Sequence, residues 1–199
     1  TIKNDLIKPR PSSLGLSYLD PAIMGIINIT PDSFSDGQED LSTKTVVKKV
    51  QKMVQDGANI IDIGGESTRP GFEKVPVKDE LSRVIPVIEA IRDAGLSIPI
   101  SVDTMKATVA EQALRKGANM INDVSGMDFD KDMVSVIKNS GAQICLVHSQ
   151  IGKEKDTKPY QYENILLDIY DYLAQKITIA VEYGIPKSKI IIDPGVGFN

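Results

Sequence analysis

Acidic, amide and guanidinium side chains recur in this sequence at the ends of short apolar runs. Asn28 ends the run that begins at Ile23, and Thr68 and Arg69 follow the run ending at Gly64. Asp103, Asn122, His148 and Asp193 each end or follow a run of their own. Carboxylates and a carboxamide brought together offer several acceptors and one amide donor to a polar ligand. Ionised carboxylates fixed near a reacting centre also stabilise developing positive charge. Taken singly, each residue has a plainer reading: a cap for Asp103, an Asx-turn for Asn122-Asp123, an ordinary turn for Asp193-Pro194-Gly195 and a solvated loop for Arg69-Pro70-Gly71. Their recurrence at one kind of position makes them a candidate site. His148, the single histidine, reads as a structural hydrogen-bonding group at a strand end rather than as a base.

The runs that must position these groups alternate with helical patterns. Residues 23–28, 59–64, 98–102, 119–122, 143–147 and 189–192 read as buried strands. After Gly37, Val46, Val47, Val50, Met53 and Val54 form a helical stripe capped by Ser42 and stopped at Gly57. Leu81 to Ile91 predicts a second helix, kinked or split at Pro86 and ended by Gly95. Val109 to Leu114 and Met133 to Ile137 mark two more, closed by Gly117 and Gly141. The longest, roughly 164–183, would bury Ile165, Ile169, Leu173, Ile177 and Val181. Residues 57–62 and 117–122, Gly-Ala-Asn-Ile-Ile-Asp and Gly-Ala-Asn-Met-Ile-Asn, are near copies of one helix-to-strand junction.

Six strands alternating with five helices predict a parallel α/β architecture whose right-handed crossovers put every strand's carboxyl end on one face. A doubly wound sheet would place its site at one switch point. Polar groups at nearly every strand end favour a (β/α)8-type barrel with about six β/α units in this chain. Residues 23–199 form that domain. Residues 1–22, with Pro9, Pro11 and Pro21, read as a lead-in or linker, and opening on Thr1 suggests processing or a cloning boundary.

At 199 residues, 41% hydrophobic and 25% charged, the chain is long enough for one substantial core, and its net charge of −4 gives no electrostatic case for nucleic acid. No run approaches a membrane span, and residues 1–22 lack a signal-peptide core. Cys145 stands alone, which leaves no disulfide framework or thiol cluster for zinc, and it reads as a small core hydrophobe. A cytoplasmic or organelle-matrix protein is expected.

Residues 24–37, Met-Gly-Ile-Ile-Asn-Ile-Thr-Pro-Asp-Ser-Phe-Ser-Asp-Gly, and 64–71, Gly-Gly-Glu-Ser-Thr-Arg-Pro-Gly, resemble the two signature segments of the dihydropteroate synthase family. Ser-Val-Asp-Thr (101–104), Ile-Asn-Asp-Val (121–124) and Asp-Pro-Gly-Val-Gly-Phe (193–198) are similar to its later motifs, in the family's order. The resemblance implies a TIM barrel, magnesium dependence, a homodimer and a place in folate biosynthesis, sometimes by fusion to another folate-pathway domain. The implied reaction joins p-aminobenzoate to (7,8-dihydropterin-6-yl)methyl diphosphate, giving 7,8-dihydropteroate and pyrophosphate. By family position Asp103, Asn122 and Asp193 would contact the pterin. Asn28, Thr68 and Arg69 would meet the diphosphate, with Asn28 the Mg²⁺ ligand. Phe34, Thr68 and Pro70 would belong to loops over p-aminobenzoate, and Asp103, Asp36 and Arg69 would act in catalysis. A neutral oxygen suits Mg²⁺ shared with diphosphate and water, and Arg presents a planar fork to phosphate.

The sequence departs from the family in two ways. Val147 stands where the family has a Met lining its pterin pocket, which keeps the pocket apolar but reshapes it. The family's strand-seven Lys and strand-eight Arg and His have no counterpart here, so a part of a longer polypeptide is expected. Two other readings stay open: a pterin barrel transferring methyl groups from methyltetrahydrofolate to a corrinoid protein, and a non-catalytic pterin-binding paralogue. The segments 28–34 and 67–71 count against the former.

Overall fold

Short runs rich in Ile, Val and Met become strands here because the central ones are buried on both faces, between helices and a barrel interior. The computed structural model describes residues 14–17, 20–29, 43–67, 74–149 and 161–197. The strands are β1 (Met24–Asn28), β2 (Ile60–Gly64), β3 (Ile100–Asp103), β4 (Met120–Asp123), β5 (Gln143–Val147) and β6 (Ile190–Asp193). The helices are α1 (Thr43–Gln55), α2 (Val77–Asp93), α3 (Ala107–Arg115), α4 (Met133–Ser140) and α5 (Ile165–Glu182). All neighbouring strands pair parallel, in the unbroken order β1-β2-β3-β4-β5-β6. A doubly wound sheet would reverse direction within that order. The consecutive order is that of a TIM-type barrel, of which this chain carries six strands.

Successive strand residues point to opposite faces. The outward set, including Ile27, Ile61, Ile63, Ile121 and Leu146, packs on the helices in one large cluster with Val50, Ile88 and Ala110. The inward set forms a second cluster of Met105, Met120, Val124, Cys145 and Val147, joined by Leu14 from the lead-in, by Met24 and by Ile191. Inward Ile26 of β1 is 58% exposed and outward Ile192 of β6 is 49% exposed, because each sits on an edge strand with a neighbour on one side only.

One helix narrows an expectation of a kink or a split, and another departs from its expected burial. α2 is one continuous helix of 17 residues with Pro86 inside it, not a split one. Pro86 and Ser82 are both exposed, so the Ser82 carbonyl that loses its helical partner turns to water and the helix continues. α5 buries Leu173, Lys176 and Ala180, whereas Ile165 and Val181 are 53% and 43% exposed. α1, α2, α3 and α4 pack side by side in sequence, but α5 packs chiefly on β5. Its apolar stripe therefore has less to bury against. Lys176 is drawn inside by pairing with Asp128.

The repeated junction is one device used twice. Asn59 Oδ1 accepts from Ile23 N at 2.8 Å, and Asn119 Oδ1 accepts from Ile100 N at 2.9 Å. In each case the Asn N–H also donates to that same residue's carbonyl, at 2.8 Å. Every Asn thus closes the start of its own strand onto the start of the preceding one. Arg92 reinforces the second copy, reaching the carbonyls of Leu96, Ile98 and Gly117 and the Asn119 side chain at 2.8–3.1 Å.

At the opposite end, His148 N donates to Asp193 O at 2.9 Å, and Gly195 N donates to Asp193 Oδ1 at 2.7 Å. Gly195 has φ +73°, and a Cβ there would overlap the His148 carbonyl. Gly197 has φ +96° but open space around it. Gly195→Ala is therefore expected to lower the unfolding free energy by roughly 2–5 kcal/mol, combining left-handed strain with overpacking. Gly197→Ala carries the strain alone, about 1–2 kcal/mol. Urea unfolding of both variants checks the difference.

Candidate active site

Parallel register decides which side chains share a level inside the barrel. Asn28 pairs with Gly64, Gly64 with Asp103, Asp103 with Asn122, Asn122 with Cys145, and Cys145 with Ile191. Three of the expected site residues, Asn28, Asp103 and Asn122, therefore lie in one inward row. Asp193 pairs with Val147, two residues further along β5 than Cys145, so it stands one inward level nearer the carboxyl ends of the strands. Gly64 opens a gap in this row. A Cβ there would sit 3.3 Å from Asn28 Oδ1 and 3.7 Å from Asp103 Oδ2, so any larger residue would intrude between the two.

The row below runs Ile26, Asp62, Ser101, Met120, Gln143. Asp62 was not singled out from the sequence, although an acid inside an apolar run, two residues before Gly64, is the signal that marks it. It is 5% exposed, and burial raises its pKa against the lowering effect of Ser101 and Asn122.

Asp103 is the most perturbed carboxyl of the group. Burial pushes its pKa well above the ordinary value, and the negative charges of Asp62, Glu80, Asp123 and Glu66 push the same way. Asp103 Oδ1, Asn122 Oδ1 and Asp62 Oδ1 are buried with no hydrogen-bond partner among the described residues. Buried acceptors are nearly always satisfied in a folded protein. Three orphans clustered on adjacent strands mark a place where a ligand's donors belong.

The Asx-turn alternative for Asn122-Asp123 divides between the two residues. Asp123 makes the turn, accepting from Ser125 N at 2.9 Å, Ser125 Oγ at 2.6 Å and Met127 N at 3.0 Å. Burial nonetheless raises the Asp123 pKa, outweighing those bonds. Asn122, one residue earlier and on the opposite face, is left to the interior. Asp193 commits one oxygen to Gly195 N–H, so its turn role and its inward position coexist.

His148 is buried at the end of β5, with its ring edge-on to Tyr172 at 5.0 Å and tilted against Tyr162 at 5.9 Å. Its backbone N–H joins β5 to β6 through the Asp193 carbonyl. Cys145 is buried in the interior cluster, its thiol pushed up to about 12 chiefly by burial. Val147 is 1% exposed in the same cluster, lining the interior as an apolar residue. Phe34, Asp36, Thr68, Arg69 and Pro70 lie outside the described residues.

What the arrangement can do chemically follows from its charge. Its acceptors are acidic or neutral oxygens, the row below mixes apolar Ile26 and Met120 with Asp62, Ser101 and Gln143, and the buried cation Lys106 is already paired with Glu66 and Glu80. Such a pocket suits a flat heterocycle rich in N–H donors and favours positive charge developing on it. Asn28, exposed at the rim of the same row, supplies a neutral oxygen beside the Gly64 gap.

Comparison with known proteins agrees with this geometry. The family described as "Pterin binding enzyme" matches residues 24–199. The dihydropteroate synthase of Clostridium beijerinckii is 48% identical over 177 residues, covering 89% of this chain and 63% of that protein. That of Bacillus subtilis is 45% identical over 197 residues, covering 98% of this chain and 66% of that protein. Among solved structures, a Xanthomonas albilineans dihydropteroate synthase with 4-aminobenzoic acid superposes with TM-score 0.80 at 39% identity, covering 89% of this chain and 62% of that one. A Clostridium difficile dihydropteroate synthase in the presence of pteroic acid gives TM-score 0.78 at 47% identity, over 89% and 65%. The chain thus spans about two thirds of the length of these relatives. Matched along nearly its whole length, the chain belongs to the dihydropteroate synthase family of pterin-binding enzymes.

Proposed function

We propose that the whole protein is a dihydropteroate synthase, joining p-aminobenzoate to (7,8-dihydropterin-6-yl)methyl diphosphate with release of pyrophosphate. The observation that carries this reading is the set of orphaned buried acceptors on Asp103 and Asn122, in one register row with Asn28 and beside the Gly64 gap. A pterin edge carries an amino group and ring N–H groups that need such acceptors, and a ring nitrogen and carbonyl that the Asn122 amide can serve. Asp193 adds a carboxylate one level higher.

In the reaction the bond from the pterin methylene to the diphosphate oxygen breaks, and a bond from that methylene to the arylamine nitrogen forms. The electron pair of the broken bond leaves with pyrophosphate, and the arylamine gives up one proton. If cleavage leads, positive charge spreads into the pterin, where Asp103 and Asp193 stabilise it electrostatically. Thr68 and Arg69 hold the diphosphate, with Arg69 as a bidentate donor. Phe34, Thr68 and Pro70 line the p-aminobenzoate side, and Asp36 adds a catalytic carboxylate there. Asn28 fits Mg²⁺ as one neutral oxygen in a shell completed by diphosphate and water, and the ion, when bound, neutralises charge on the leaving group. The reading includes the family's homodimer, a cytoplasmic or organelle-matrix location and the possibility of fusion. In Haloferax volcanii a probable bifunctional folylpolyglutamate synthase/dihydropteroate synthase matches this chain at 43% identity over 21% of its own length.

The decisive experiment assays the full-length polypeptide with both substrates, with and without Mg²⁺. Magnesium-dependent pyrophosphate release, stoichiometric with dihydropteroate, is expected. Pterin binding without turnover would instead identify a non-catalytic paralogue. Asp103→Asn keeps the shape but turns an acceptor into a donor and removes the charge. It is expected to lower kcat/KM by roughly 10²–10³-fold.

The raised Asp103 pKa gives a pH signature. In the ligand-free protein the folded state holds its proton above the unfolded value of 3.8, so stability falls as pH rises from there through the folded value. A pterin N–H needs the carboxylate form, so binding below the folded value releases a proton and strengthens with rising pH. Calorimetry of pterin binding in buffers of different ionisation enthalpy is expected to show that release in the wild type. Asp103→Asn should abolish it.

A further inference from the structure

A second group of buried charges stands beside the register row, and the chemistry above makes no use of it. Lys106, three residues beyond Asp103, is 6% exposed, and its Nζ donates to Glu66 Oε2 at 2.6 Å and to Glu80 Oε2 at 2.5 Å. Glu80 is fully buried and Glu66 nearly so. Burial by itself would lower the Lys106 pKa, but the bonds from Glu66 and Glu80 hold it above the ordinary value. A buried cation facing two carboxylates is seldom the most stable way to fill a core, because desolvation offsets much of the attraction. This one does something an apolar residue cannot.

The other oxygen of Glu66, Oε1, accepts from Val75 N–H at 2.6 Å. One carboxylate therefore joins the chain leaving β2 to the chain entering α2, nine residues further on. Each end is also fixed separately. Gly65 O accepts from Arg83 Nη1 at 2.7 Å, and a Cβ on Gly65 would meet Val84 Cγ2 at 2.7 Å, so the chain is pressed onto α2 there. Lys74 Nζ lies 4.7 Å from the centre of the Phe129 ring, which ties the far end to the segment after β4. Lys106 is the part that orients Glu66. Glu80 keeps Oε1 without a partner among the described residues, so removal of Lys106 would leave two buried carboxylates with no cation between them.

We infer that Lys106 and Glu66 are positioning residues for diphosphate binding: Lys106 orients Glu66, and Glu66 clamps Val75, which fixes the two points between which Thr68 and Arg69 lie in the sequence. The inference rests on the proposed function, which assigns Thr68 and Arg69, both within that span, to the diphosphate. Neither Lys106 nor Glu66 touches substrate. Their effect comes through the positions of Glu66 and Val75, since fixing two points of a chain limits the geometries open to groups joined between them.

The test uses the full-length protein and two probes, 6-hydroxymethylpterin and inorganic pyrophosphate with Mg²⁺, together with hydrogen exchange at the Val75 amide. Glu66→Gln is nearly isosteric, and Lys106→Met removes the cation. Each is expected to speed Val75 exchange and weaken pyrophosphate binding by roughly tenfold or more, while pterin affinity stays within about twofold. Lys106→Arg, which keeps the charge, should restore most of both. Lys106→Met is the variant at risk of not folding, and Glu66→Gln then carries the test alone. Lower thermal stability with an unchanged ratio of pterin to pyrophosphate affinity, or unchanged Val75 exchange, would overturn the clamp and leave the functional reading standing. A wild type that binds neither probe would overturn both.

Discussion

Parallel pairing in unbroken chain order is the constraint on which the rest of this structure depends. Once β2 lies beside β1 and β3 beside β2 in fixed register, alternation of side chains leaves no freedom over which residues meet inside. Asn28, Asp103 and Asn122 are 75 and 19 residues apart in the chain, yet the register makes them one level of one surface. A slip of one residue in β3 would turn Asp103 into the helix layer and Val102 into the pocket. The apolar outward set, Ile63, Ile100, Val102 and Leu146 among it, forbids that slip, since all four are fully buried against helices. The packing of the core and the placement of the site are thus one fact.

The same interior carries an electrostatic load. Asp62, Asp103 and Asp123 all hold their protons more tightly than free carboxyls do, and burial is the main reason in each case. Asp123 offsets part of this with three bonds from Ser125 and Met127. Asp103 has no such compensation and faces four like charges. A buried carboxyl raised this far without compensating bonds suits a ligand bearing N–H donors and positive character.

Much of this was legible in the sequence, and the limits have physical causes. Strand runs and glycine stops depend on local chemistry, so β1 to β6 appear within a residue or two of their expected places. Asp103, Asn122 and Asp193 were visible because each ends a run, and alternation then separates Asn122 from the turn-forming Asp123. At Pro86 the sequence left a kink or a split open, and the split is absent because a proline on an exposed helix face need not break the helix. The stripe of α5 misled because periodicity shows that a face is apolar, not what is available to cover it. Asp62 hid inside a run that looked uniformly apolar. The Lys106, Glu66 and Glu80 group was invisible because its members are 40 and 26 residues apart and meet only once the fold exists.

The repeated Gly-Ala-Asn junction has a bearing on how the chain reaches this state. At residues 57–60 and again at 117–120, the new strand is tied just before its first residue to the start of the strand made before it. Because strand order follows chain order throughout, each β/α unit finds its whole docking surface already synthesised when it emerges. Such a sheet can assemble from its amino-terminal side as the polypeptide lengthens, with one leading edge open at a time, and that edge is closed by the next unit rather than by a stranger.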